Sequence, residues 1–107
     1  MDELSPIVID LEQVKNNTMN ESFLVSFGFA MKKLLRAVLG DLSIPVRLKG
    51  NPADVRSFLS TVGAEKNYIK DFKKFGLNDP RTYRSKSKLD SAVKGFERKT
   101  GINWPFK

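Results

Sequence analysis

The stretch from Asn51 to Gly76 constrains the fold most, because strong helix start and stop signals enclose a helical apolar pattern. Asn51 is a favoured N-cap, Pro52 suits the first helical position, and Asp54 complements the positive end of the helix dipole. Apolar residues recur at helical spacing at Val55, Phe58, Leu59, Val62, Ile69, Phe72 and Phe75. The pattern predicts one long helix up to Gly76. Gly63 leaves open a break into two helices.

A second helical pattern extends from about Glu21 to Leu39. Asn20 is a suitable N-cap, and Gly40 stands where a helix commonly ends. Apolar residues lie three or four positions apart at Phe23, Phe27, Met31, Leu34 and Val38. The first half is apolar on nearly all sides, which predicts a central, buried helix. Gly28 costs helix stability and therefore predicts the close approach of another element.

The C-terminal part is predicted to contain a loop followed by a third helix. The turn-forming residues 78–80 (Asn-Asp-Pro) favour a loop over residues 76–87. We expect the helix to begin near Ser87 and to end before Gly101. Its predicted buried face consists of Leu89, Ala92, Val93 and Phe96.

Two short segments have the character of strands. Val46–Lys49 alternates apolar and basic residues, which is typical of a half-buried strand. Ile7–Ile9 is a β-branched run inside an acidic N-terminal arm, residues 1–19, and is either a short strand or part of a mobile arm; we favour the strand. Residues 20–107 are expected to form a single helix-rich domain. The predicted class is α+β, mostly α: three helices with one or two short strands, and with Phe27 and Phe72 in the core.

The residue types that the chain lacks exclude most catalytic chemistry. It contains neither Cys nor His, so it has no disulfide, no thiolate, and no imidazole to act as general base or metal ligand. We therefore predict a non-enzymatic protein with no cofactor and no metal. Ser85-x-x-Lys88 has the spacing found in some acyl-transfer enzymes, yet a Ser near the start of the last helix is better explained as a cap.

The sequence shows no pattern typical of membrane insertion or export. The most apolar stretch, Phe23–Met31, is far shorter than the roughly 20 residues that a membrane span needs. The start, Met1-Asp2-Glu3, is acidic where a secretory signal is basic. We expect a cytoplasmic protein with no membrane partner.

Charge is distributed unevenly along the chain. Residues 1–64 carry seven Lys or Arg and seven Asp or Glu, whereas residues 65–107 carry twelve and five, so the whole net charge of +7 lies in the C-terminal part. Clustered cations are what phosphate binding requires, and an aromatic ring among them could stack on an unpaired base. The sequence therefore predicts a nucleic-acid-binding surface, with an ordinary solvated face as the alternative. Its candidate residues are Lys66, Lys70, Lys74, Arg81, Tyr83, Arg84, Lys86 and Lys88.

The aromatic tail offers a different function. Trp104 and Phe106 follow the last helix, and we expect them to dock on the domain. If the tail undocks, the same two rings become an apolar anchor for another protein or for a second copy of the chain. The alternative function is thus a protein–protein adaptor or assembly factor that uses this tail or the acidic N-terminal arm.

The C-terminal quarter carries one resemblance. The run from Arg81-Thr-Tyr-Arg-Ser-Lys through Gly-Phe-Glu-Arg-Lys-Thr-Gly-Ile-Asn-Trp-Pro-Phe-Lys107 resembles the C-terminal ends of small uncharacterised proteins of T4-like tailed bacteriophages. The resemblance implies a phage accessory protein made in a bacterial cytosol. It brings no catalytic residues to carry over to this chain.

Overall fold

The fold consists of a two-stranded sheet and helices on a shared core. The computed structural model describes residues 6–40 and 44–106, so residues 1–5, 41–43 and 107 of the predicted arm and domain lie outside the described residues. In chain order the described part contains β1 (Ile7–Asp10), α1 (Leu11–Asn16), α2 (Glu21–Leu39), β2 (Val46–Lys49), α3 (Pro52–Phe75) and α4 (Pro80–Thr100). The predicted class, α+β and mostly α, is confirmed. The described residues add one short helix, α1, to the three that were expected.

The two strands pair in parallel, with Ile7 opposite Val46 and Ile9 opposite Leu48. Ile7 and Ile9 are buried, so the strand alternative describes this segment correctly. The chain then turns directly into α1, because the side chain of Asp10 accepts a hydrogen bond from the amide of Gln13 at 3.2 Å and caps the helix. The buried side chains of α1 and β1 join the core of the whole molecule.

Helix α2 has the predicted bounds, and its buried residues are Phe27, Met31, Leu34 and Ala37. The prediction that its apolar first half is buried on nearly all sides is wrong, because Val25 and Phe29 are 58% and 62% exposed. Asn20 caps it by accepting a hydrogen bond from the amide of Phe23 at 3.0 Å. The prediction for Gly28 is wrong. A Cβ atom built at this glycine would meet nothing within 4 Å, so no neighbouring element requires the missing side chain.

Helix α3 runs without a break through Gly63. Its start is fixed by Asn51, whose side chain accepts a hydrogen bond from the amide of Asp54 at 2.9 Å. The buried carboxylate of Asp54 in turn accepts a hydrogen bond from Lys15 Nζ at 2.8 Å, which ties α1 to α3. This bond raises the pKa of Lys15 above its ordinary value, since it favours the protonated amine.

The prediction that Phe72 lies in the core is wrong. Phe72 is 44% exposed, whereas Phe58, which lies 14 residues or about four turns earlier in the same helix, is fully buried. The reason is that α3 extends beyond the core: no described residue of α3 after Glu65 is buried. Phe72 packs there only partly, edge-on against Tyr68 with ring centroids 6.2 Å apart.

The predicted loop over residues 76–87 is also wrong, because α4 begins at Pro80. Asp79 is its N-cap and accepts a hydrogen bond from the amide of Arg81 at 2.8 Å. The turn-forming residues therefore start a helix, as Asn51 and Pro52 do for α3. The connection shrinks to residues 76–79, and α3 and α4 form an antiparallel helical hairpin.

The end of α4 is as predicted. Gly101 adopts a left-handed conformation with φ 75°, and its amide donates to the carbonyl of Glu97 at 2.8 Å. Ile102 is then completely buried. This stop directs the tail back onto the domain.

These burial differences predict unequal costs of truncation. Phe58→Ala should lower the free energy of unfolding by about 3–5 kcal/mol, since it leaves a cavity in the aromatic core. Phe72→Ala should cost about 1 kcal/mol, in the usual range for a half-exposed side chain. Chemical denaturation of the two variants measures both values, and equal costs would contradict the assignment of the buried face of α3.

Candidate nucleic-acid interface

One side of the α3–α4 hairpin forms a basic groove, here called the hairpin groove, with a volume of about 680 Å³. Its walls carry four cationic side chains, Lys70 from α3 and Arg81, Arg84 and Lys88 from α4. These α4 residues share a wall because positions three, four and seven apart lie on one face of a helix. The groove also contains one carboxylate, Asp71. Side chains from two helices thus bring these four cations together on one concave surface.

Arg81 contacts both Asp79 and Phe75 at one end of the groove. Its Nε and Nη2 atoms donate to the two carboxylate oxygens of Asp79, each at 3.0 Å. Its guanidinium carbon lies 3.5 Å from the centre of the Phe75 ring, so the planar group stacks on the ring face. The hydrogen bonds from Arg81 lower the pKa of Asp79 to about 2, because they stabilise the charged carboxylate.

The other three cations of the groove are not engaged in this way. Among residues 6–40 and 44–106, the ion pairs are Lys15–Asp54, Arg81–Asp79 and Lys86–Asp90. Within the same residues, Lys70, Arg84 and Lys88 form no ion pair. The carboxylate of Asp71 instead accepts a hydrogen bond from the hydroxyl of Ser85, across the groove. Three cations therefore face the groove without an ion pair among the described residues, and the groove's four positive charges stand against the single carboxylate of Asp71.

The structure separates the other predicted residues from this groove. Lys66 and Lys74 lie one turn on either side of Lys70 but do not line it, and Lys74 Nζ lies 5.4 Å from the centre of the Phe75 ring. Tyr83 is 63% exposed and also lies outside the lining of the groove.

Lys86 faces a different cavity. Its Nζ atom donates to Asp90 at 2.7 Å and lies 5.8 Å from the centre of the Tyr68 ring. The pKa of Lys86 is raised, chiefly by the hydrogen bond to Asp90. This cavity contains two lysines against the carboxylates of Glu65, Asp90 and Glu97. Its charge does not suit a phosphate.

Sequence reasoning missed a second basic pair near the hairpin groove. A smaller cavity of about 300 Å³ is lined by Arg56 and Lys99, and it shares Ser60 and Ala92 with the hairpin groove. The signal that sequence reasoning missed is Asp79-Pro80, which starts α4. Because α4 begins there, its antiparallel pairing with α3 places the end of α4, with Lys99, beside the beginning of α3, with Arg56.

The tail is docked, as predicted. Trp104 is 3% exposed, and its indole Nε1 donates to the carboxylate of Glu65 at 2.9 Å. The ring makes edge contacts with Phe58, Phe96 and Phe106, with centroids 5.9, 5.4 and 6.0 Å away. Phe106 is half-buried beside it. In this arrangement Trp104 belongs to the core and offers no surface to a protein partner.

Residues 6–40 and 44–106 contain no cluster of acidic side chains suited to a metal ion, and no helix among them is long and apolar enough to cross a membrane. Comparisons with protein-family models, curated proteins and solved structures found no match. The resemblance of the C-terminal quarter to proteins of T4-like phages stays a prediction.

The docked tail predicts the fluorescence of the chain's single Trp. Emission of Trp104 should be blue-shifted, protected from acrylamide and independent of protein concentration, because the indole is buried within one molecule. Deleting residues 103–107 should lower the melting temperature, since this removes the apolar surface that covers Phe58 and Phe96. A red, freely quenched signal, or protection that develops only at high concentration, would contradict intramolecular docking.

Proposed function

We propose that this protein is a non-enzymatic binding module that holds the phosphates of a nucleic acid in the hairpin groove. The observation that carries the proposal is the convergence of Lys70, Arg84 and Lys88 on one concave surface without ion-pair partners among the described residues. In the free protein, each of these unpaired cations would have to be solvated by water. A polyanion would neutralise several of them at once.

The chemistry of these side chains supports phosphate as the ligand group. Arginine presents a planar set of donors that matches phosphate oxygens, and lysine adds a mobile point charge. The net charge of +7 attracts polyanions over a longer range and accelerates their encounter with the protein. Contacts to phosphate fix position and supply affinity, and they carry no sequence information. We therefore expect binding with little sequence preference.

The adaptor alternative receives less support. Its proposed contact residue Trp104 is buried, and residues of the N-terminal arm contribute Ile7, Ile9, Leu11 and Val14 to the core. Within the described part of the arm, residues 6–19, the large apolar side chains left exposed are Val8 and Met19.

The proposal is tested by removing the three unpaired charges together. The triple variant Lys70→Gln, Arg84→Gln, Lys88→Gln should bind single- or double-stranded DNA or RNA more weakly. Its slope of log affinity against log salt should be shallower by about 2 to 3, since each lost phosphate contact removes about 0.7 to 0.9. Fluorescence anisotropy across a salt series measures both quantities. Arg81 is left intact because it supports the start of α4.

A matched control is Lys32→Gln, Lys33→Gln, Arg36→Gln, which removes two lysines and one arginine from the exposed side of α2. It lowers the net charge equally and should leave most of the affinity and slope in place. Equal losses in both triple variants would mean that net charge alone acts, and the proposal would fail. The absence of any binding at low salt would also refute it.

A further inference from the structure

We infer that the ligand is a single nucleic-acid strand that lies lengthwise along the α3–α4 hairpin, from Arg81 to Lys99, with its bases stacked. This inference rests on the proposed function and names its substrate class. It also adds Arg56, Lys99 and two glycines, Gly63 and Gly95, to the binding site.

The first observation is that the hairpin groove continues into the smaller cavity. The two share Ser60 and Ala92, which lie on facing helices, and Arg56 and Lys99 line the far end. Arg56 and Lys99 are exposed, and within the described residues they form no ion pair. Cations therefore line the groove and the smaller cavity from end to end. Arg81 and Lys99 are eighteen residues apart on α4, or about 27 Å at 1.5 Å per residue.

The second observation concerns the uncharged lining of this channel, here called the floor. It consists mainly of small residues: Ala53, Ser57, Ser60, Gly63, Ala64, Ala92 and Gly95. Gly63 and Gly95 lie inside helices, where glycine is unfavourable. A Cβ atom at either position would meet nothing within 4 Å, so packing within the described chain does not require glycine there. The space above both glycines is open to a ligand that approaches the backbone closely.

The shape of the channel favours one strand over a duplex. Packed helices lie about 8–10 Å apart, so the channel between them is narrow. A duplex presents its phosphates on a wide convex surface and would contact only the rim. A single strand can reach the glycine floor while its phosphates meet cations on both walls. At a phosphate spacing of about 3.4 Å, as in a stacked strand, the 27 Å channel holds about eight nucleotides.

A length series tests the lengthwise path. Fluorescein-labelled oligo(dT) of four, eight and twelve nucleotides is compared by anisotropy with a twelve-base-pair duplex. Affinity should rise clearly from four to eight nucleotides and change little from eight to twelve, and the eight-nucleotide strand should bind more tightly than the duplex. The double variant Arg56→Gln, Lys99→Gln should show no such rise in affinity between four and eight nucleotides. The control Lys32→Gln, Arg36→Gln removes the same charge from α2 and should keep it.

Glycine substitutions test the floor independently of charge. Gly63→Gln and Gly95→Gln place an uncharged side chain in the channel and should each weaken binding of the eight-nucleotide strand at least about fivefold, a loss comparable to that of one good contact. Their melting temperatures should stay level or rise, because glutamine is the better helix former. The control is Gly28→Gln in α2, where a Cβ would also meet nothing within 4 Å but which lies outside both cavities. It should bind normally.

The outcomes separate this inference from the proposed function. Three results would overturn the single-strand path: salt-dependent binding that is equal for four and eight nucleotides, tighter binding of the duplex, or binding that neither glycine variant weakens. Any of them would leave the basic groove as a phosphate site. No salt-dependent binding to any of these oligonucleotides overturns both.

Discussion

The antiparallel packing of α3 on α4 is the interaction on which the rest of the structure depends. On one side of the hairpin Phe58 and Phe96 lie with centroids 6.0 Å apart and receive Trp104 between them. This aromatic cluster joins the core formed by the sheet and α2. Because this aromatic cluster lies on the core side, the lining of the opposite side consists mainly of small and charged residues, with Phe75 beneath Arg81 at one end. The core and the groove are thus two consequences of one helix pairing.

Hydroxyl groups link α3 to α4 at three points along the hairpin. Thr61 Oγ1 lies 3.3 Å from the carbonyl oxygen of Ala92, and Thr82 Oγ1 lies 3.3 Å from that of Asp71. The Ser85–Asp71 hydrogen bond adds a third link. Small side chains let the backbones approach, and the resulting channel remains open to solvent. The cations on its walls are then close enough to act on one ligand.

Local signals in the sequence predicted much of this fold. Capping residues and helical spacing gave the bounds of α2 and α3, and Gly101 with the aromatic tail predicted the docking of Trp104. The errors arose where a local pattern has two meanings or where burial depends on distant elements. Asp79-Pro80 suits a turn and a helix start equally, and Phe72 continues an apolar stripe that extends beyond the core. The groove could be foreseen only in part, because Tyr83 and Lys86 are near Arg84 in sequence but lie on other sides of α4.

The central claim, that nucleic acid binds in the channel between α3 and α4, is tested most directly by nuclear magnetic resonance. The ¹⁵N-labelled protein is titrated with an eight-nucleotide single strand, and each backbone amide reports its own surroundings. We expect the largest shifts at Gly63, Lys88 and Gly95, along both cavities, with small changes near Phe29 on α2. Shifts concentrated around Trp104 or Phe29, with the channel amides unmoved, would contradict the account.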